Sequence, residues 1–182
     1  MSGRPGKLDR DRAALVVVDV QDGFAKALEH FDAIAESSAT LVTGVAAMGI
    51  PVHVTEQYPK GRGHTDGRVT DALPEGAEVT EKVCFSAVQA EGFGLGERDQ
   101  ALVCGIETHV CVNQTVLDLL DAGVEVHVAQ DATGSRTTEN WRLGLDKLEK
   151  AGAVRTSIET ALFELLGRAG TDEFKTVQGL IK

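Results

Sequence analysis

The sequence predicts a parallel α/β domain. Short β-branched runs alternate with longer stretches of helical periodicity, three of those stretches stop at a glycine, and reactive side chains fall just past the ends of the apolar runs. Residues 13–18 (AALVVV) form a continuous apolar run, as expected of a strand covered on both faces. Asp19 ends it. Residues 26–48 carry apolar spacings of three and four, and Gly49 follows as a helix stop. Residues 50–55 read as a second strand. Residues 57–75 (QYPKGRGHTDGRVTDALPE) hold prolines, glycines and charges and read as a long excursion, a length that usually serves function.

Residues 78–82 make a third, short strand and residues 101–106 (ALVCGI) a fourth. A helix over 108–122 ends at Gly123, a fifth strand covers 124–129, and a helix over 138–151 ends at Gly152. Residues 153–156 fit a sixth strand, 159–166 a helix, and the tail from Thr171 onward has helical character. Strand and helix alternate throughout, so the expected architecture is a parallel sheet of roughly six strands with helices on both faces. No repeat or linker divides the 182 residues, which are expected to form one domain spanning 1–182.

Composition narrows the function. A net charge of -10 without a basic stripe disfavours nucleic acid as a partner. The polar opening over residues 1–12 and the lack of a long apolar run disfavour a secretion signal or membrane partner. Three cysteines, an odd count with no C-x-x-C pair, suit a reducing cytoplasm. The glycine runs at residues 61–63 and 92–96 fit neither dinucleotide nor P-loop spacing, so no cofactor is expected.

In an open parallel sheet, ligands sit beyond the carboxyl ends of the strands. Three reactive residues map there: Asp19 after the first strand, Lys82 at the end of the third, and Cys111 in the first turn of the helix after the fourth. A thiol at a helix N-terminus gains from unpaired N–H groups and the helix dipole, and a nearby lysine lowers its pKa further. Asp19 then serves as general acid/base and Lys82 as its electrostatic partner. Backbone N–H groups of the turn 105–111 are placed to hold an oxyanion. Singly, each residue has a plainer reading: a turn aspartate, a solvated lysine, a small core thiol.

Other candidates are weaker. Cys104 lies within an apolar run and Cys84 has no mapped base, so both read as structural. His109 is two residues from Cys111, about 200° around a helix, so their side chains diverge. His53 and His127 fall within strands, where a packed histidine is the plainer reading. His64 and Asp66 share the excursion without a third ligand, so no metal site is expected.

The segments VVVDVQDGF, TEKVCFSA and CGIETHVCVNQTVLDLLDAGVEVHVAQDATGSR resemble the isochorismatase-like hydrolases, a superfamily that includes nicotinamidases and N-carbamoylsarcosine amidase. The resemblance runs over a core of about 13–166. It implies a three-layer α/β/α sandwich and a catalytic triad of Asp19, Lys82 and Cys111. It further implies an oxyanion hole from the N–H groups of Glu107 and Cys111, and a cis Ile106–Glu107 peptide. Phe24 falls on a pocket-wall position, and the substrate pocket is expected to involve Tyr58, Ile106 and Thr108 as well; Trp141 suits pocket wall or core equally. Residues 55–61 (TEQYPKG) lack the Asp-x-His metal site of nicotinamidases and resemble the metal-free branch. Cys111 argues against the vinyl-ether cleavage of true isochorismatases.

The expectation is a cysteine hydrolase that cleaves a small amide or carbamoyl-type C–N bond through a Cys111 thioester, with a small-molecule substrate and a homo-oligomeric assembly. Two rivals share the fold: a redox thiol resolved by Cys104 or Cys84, and a non-catalytic scaffold.

Overall fold

A computed structural model describes residues 6–77 and 79–182. The six strands are β1 (Ala13–Val18), β2 (Val52–Gln57), β3 (Val79–Lys82), β4 (Gln100–Ile106), β5 (Glu125–Gly134) and β6 (Val154–Thr156). They form one parallel sheet in the order β3-β2-β1-β4-β5-β6. Glu78, expected as the first residue of β3, and residues 1–5 of the polar opening lie outside the described residues. The central strands β1 and β4 are buried at every position, as their unbroken apolar runs require.

The helices are α1 (Phe31–Ala47), α2 (Pro59–Arg62), α3 (Gly67–Ala72), α4 (Cys111–Asp121), α5 (Thr138–Ala151), α6 (Ile158–Leu166) and α7 (Asp172–Leu180). Leu41, Val42 and Val45 of α1 and Leu162 and Leu165 of α6 join Leu15, Val17 and Leu102 in one core on one side of the sheet. On the other side Val112 and Val116 of α4 and Leu145 and Leu148 of α5 pack with Val16, Val18 and Val103. This alternation along β1 and β4 makes three layers, helix–sheet–helix. Among the described residues no helix is long and apolar enough to cross a membrane.

Most boundaries fall within two residues of expectation, β2 running over Val52–Gln57 rather than 50–55, and four larger differences each have a local reason. The helix expected over 26–48 begins at Phe31. Residues 22–24 instead form a 3-10 turn tied to the excursion: the Asp22 N–H donates to His64 O, and any Cβ on Gly23 would overlap the Arg62 carbonyl. The excursion itself holds α2 and α3, with Asp66 capping α3 through the Arg68 N–H. Helix α4 starts at Cys111 because Glu107 to Val110 form a tight turn in which the Glu107 carbonyl accepts from the Val110 and Val112 N–H groups. Strand β5 runs to Gly134 through a bulge: Val103 pairs with Val128, but Gly105 pairs with Thr133. The extra residues redirect the chain toward the β4–α4 turn.

The chain order reverses between β1 and β4, which opens the crevice where an open α/β sheet binds ligands. Close approach there is a glycine property. Gly105 has φ +114°, and a Cβ would overlap the Val18 carbonyl oxygen.

Candidate active site

The residues predicted for the rim come together there. Asp19 follows β1 with φ +55°, an uncommon conformation for a side-chain-bearing residue and one that aspartate tolerates better than most. Its side chain is fully buried. The Lys82 Nζ donates to Asp19 Oδ2 at 2.7 Å, and the Thr55 hydroxyl donates to Oδ1 at 2.7 Å. The ammonium, also fully buried, donates to the carbonyls of Phe85 at 2.9 Å and Cys84 at 3.3 Å. An ion pair this deep persists because its remaining polar atoms have partners.

Gln57, the last residue of β2, completes this network, and the sequence reading assigned it only to the excursion. Its Oε1 accepts from Lys82 Nζ at 2.8 Å and lies 4.0 Å from the Cys111 sulfur. Its Nε2 donates to Val83 O. The amide of buried Gln21 grips the Gln57 backbone, accepting from its N–H at 2.7 Å and donating to its carbonyl at 3.2 Å. The sequence reading ended the second strand at residue 55, whereas β2 runs on to Gln57 and so carries it to the same rim as Asp19 and Lys82.

Cys111 opens α4 and is buried. Its thiol is pushed up from the usual range by burial first and by the adjoining Asp19 carboxylate next; the opposing pull of Lys82 does not offset them. This corrects the expected low-pKa thiolate. The helix terminus and the lysine are in place, but the low-dielectric surroundings and the neighbouring Asp19 carboxylate favour the neutral thiol. Such a group needs a base, and Asp19 adjoins it.

The turn before Cys111 is held from β5. Thr108 is fully buried, and its N–H and hydroxyl both donate to Gly134 O, at 2.8 and 3.0 Å. The Ile106–Glu107 peptide is cis. Among the described residues neither the Glu107 nor the Cys111 N–H donates to a protein acceptor, although their neighbours Thr108, Val110 and Val112 do. Two unpartnered donors therefore sit at the turn beside the sulfur.

The remaining candidates are distributed around this centre. Phe24 is buried under the Arg62 guanidinium, which lies 5.1 Å from its ring centroid. Tyr58, with φ +42°, is half exposed and borders a cavity of about 390 Å³ with Cys84 and Gln89 on the β3 side. Ile106 is fully buried in the apolar core, so its side chain serves packing. Trp141 lines a separate cavity of about 300 Å³ beyond β5 with Leu28, Ile34 and Ser135, and its indole N–H donates to Thr133 Oγ1. His109 turns away from Cys111, its Nδ1 3.0 Å from the Ser135 hydroxyl.

Cys104 faces the core on the side of the sheet opposite to Cys111, and burial raises its thiol to about 12. Where nicotinamidases place a metal ligand pair, Glu56 accepts from the Thr65 N–H and hydroxyl and meets the His64 ring at 3.0 Å. Among the described residues no group of three or more potential ligands is arranged for a metal ion.

A six-stranded parallel sheet whose order reverses at its centre, covered by helices on both faces and carrying an acid, an ammonium and a thiol at its carboxyl-end rim, defines the class as a three-layer α/β domain with a reactive rim. The chain belongs to the isochorismatase family: residues 13–160 match the isochorismatase domain. It is 37% identical over 186 residues to the secreted isochorismatase effector Isc1 of Phytophthora sojae, covering 98% of this chain and 89% of that protein. The structure of the MAR1 ribonuclease from Caenorhabditis elegans superposes with a TM-score of 0.90 at 36% identity, covering 96% of this chain and 92% of that one. The Escherichia coli YcaC gene product, an octameric hydrolase of unknown specificity, shares the fold with a TM-score of 0.87 at 22% identity over 98% of this chain and 91% of its own.

Proposed function

We propose that this chain is a cysteine hydrolase that cleaves a small amide or carbamoyl-type C–N bond. The observation that carries the reading is the buried Lys82–Asp19 pair beside the buried Cys111 thiol, with two unpartnered N–H groups at the same turn. The Cys111 sulfur attacks the carbonyl carbon while its proton passes to Asp19. The developing oxyanion meets the N–H groups of Glu107 and Cys111. Asp19 returns the proton to the leaving nitrogen, the C–N bond breaks, and a thioester remains. Water then attacks the thioester, giving a proton through Asp19 to the departing sulfur, which releases the acid and restores the thiol. Lys82 stays a cation throughout and balances the carboxylate.

Self-association into a homo-oligomer and residence in a reducing compartment, where the three unpaired cysteines persist, belong to the same proposal. The test is a screen of small amides and carbamoyl compounds for ammonia release by wild type and Cys111→Ala. Release that disappears in the variant supports the reading; release that survives in it removes Cys111 as nucleophile. The name of the Caenorhabditis elegans relative suggests RNA as an alternative substrate. The net charge of -10 opposes a polyanion, and RNA cleavage retained by Cys111→Ala would favour that alternative.

A further inference from the structure

The Glu107 side chain has a partner that the proposed chemistry does not use. Its carboxylate is buried, yet the Arg136 guanidinium and backbone saturate it. Arg136 N–H and Nε donate to Oε1 at 3.0 Å each, and Nη2 donates to Oε2 at 2.6 Å. Burial raises the Glu107 carboxyl and these bonds outweigh it, so the group is held below the usual carboxylate range. Arg136 lies just beyond β5, next to Gly134, whose carbonyl takes both donors of Thr108. The segment 106–108 is thus fastened to the end of β5 by five hydrogen bonds, and the β5 bulge brings that end within reach.

Charge accompanies this fastening. The charged groups whose field reaches the Cys111 thiol are Asp19 from the end of β1, Lys82 from β3 and, more weakly, Glu107 from the adjoining turn; Arg136 pairs with Glu107, and His109 turns away to Ser135. Without Arg136, two carboxylates would oppose one ammonium around the thiol.

Resting on the reading of Cys111 as the nucleophile, we propose that Arg136 is a positioning residue. By saturating the buried Glu107 carboxylate it fixes the turn that carries the two unpartnered N–H groups and cancels the negative charge Glu107 would direct at the sulfur. The guanidinium fork suits both tasks, because it delivers parallel donors and a full charge to one carboxylate.

The experiment reads the thiol itself. The rate of Cys111 alkylation by iodoacetamide is followed against pH by peptide mass mapping, on the full chain. Arg136→Ala is expected to slow alkylation at pH 8.5 by on the order of tenfold, as for about one unit added to the thiol pKa. Glu107→Gln, which keeps the shape and removes the charge, should react faster than wild type. The double variant Glu107→Gln/Arg136→Ala should return to within about threefold of wild type, and Arg136→Lys should fall between wild type and Arg136→Ala. Unchanged or faster alkylation in Arg136→Ala overturns the proposal, as does a double variant no faster than Arg136→Ala. If Arg136→Ala does not fold, Glu107→Gln alone decides: a rate equal to or below wild type overturns the proposal. The pattern does not depend on a substrate, so a failed ammonia screen with this pattern intact would sink the hydrolase reading and leave the role of Arg136 standing.

Discussion

The two flanks of the candidate site are built differently. On the β1–β3 flank, side-chain charge does the positioning: Asp19, Lys82, Gln57 and Thr55 form a buried network in which each member touches another. On the β4–β5 flank, backbone sets the shape and one ion pair secures it: the 106–111 turn is shaped by Gly105, tied to Gly134, and locked from its far side by Glu107 and Arg136. A charge network fails when a single partner is removed, because an uncompensated ion stays behind. A backbone turn tolerates side-chain change until a Cβ or a lost tie moves the chain.

This contrast is open to experiment. The largest effects belong to the reacting groups. Cys111→Ala should abolish hydrolysis, and Asp19→Asn, which keeps the shape and loses the base, should lower kcat by on the order of 10²–10⁴-fold in the ammonia-release assay. Lys82→Ala should destabilise the fold by about 3–5 kcal/mol in urea titration, because Asp19 is left buried without its cation. A loss below about 1 kcal/mol there, the size of an exposed pair, would break the distinction between the flanks.

On the other flank, Gly105→Ala should cost about 2–4 kcal/mol through a positive φ and overlap with Val18, with no charge altered. Gln57→Ala should cost only about 1–2 kcal/mol, since Lys82 keeps Asp19 and two carbonyls.

The smallest effect is in pH. Glu107 and Glu56 are held below the usual carboxylate range in the folded state. Their contribution is therefore complete above the unfolded value, about 4.3, and is lost as pH falls through the lower folded value. Tm should decline on acidification below that point, and Glu107→Gln should flatten the decline; an unchanged acid limb would remove Glu107 as a contributor.

Legibility in the sequence follows the same division. Apolar continuity gave β1 to the residue, and periodicity bounded by a glycine gave α5 over Thr138–Ala151. The rule that reactive groups gather past strand ends found Asp19, Lys82 and Cys111. It missed Gln57, because the second strand was expected to end at residue 55 and Gln57 to open the excursion, whereas β2 continues through it. Arg136 and the β5 bulge were beyond reach, since residues 129–132 carry no signal that the strand resumes after them and the Glu107 partner lies 29 positions away. The state of the thiol was misread for a physical reason: a helix terminus is visible in sequence, whereas burial is a tertiary property.

The burial of Cys111 beside the Asp19 carboxylate has a consequence for survival in hostile surroundings. The thiolate is the form that attacks peroxide and stray electrophiles, and burial together with the neighbouring carboxylate disfavours that form here. Cys104, shut behind the sheet, is out of reach of Cys111 for a crosslink. A sulfur held as its thiol keeps longer than one held as the anion.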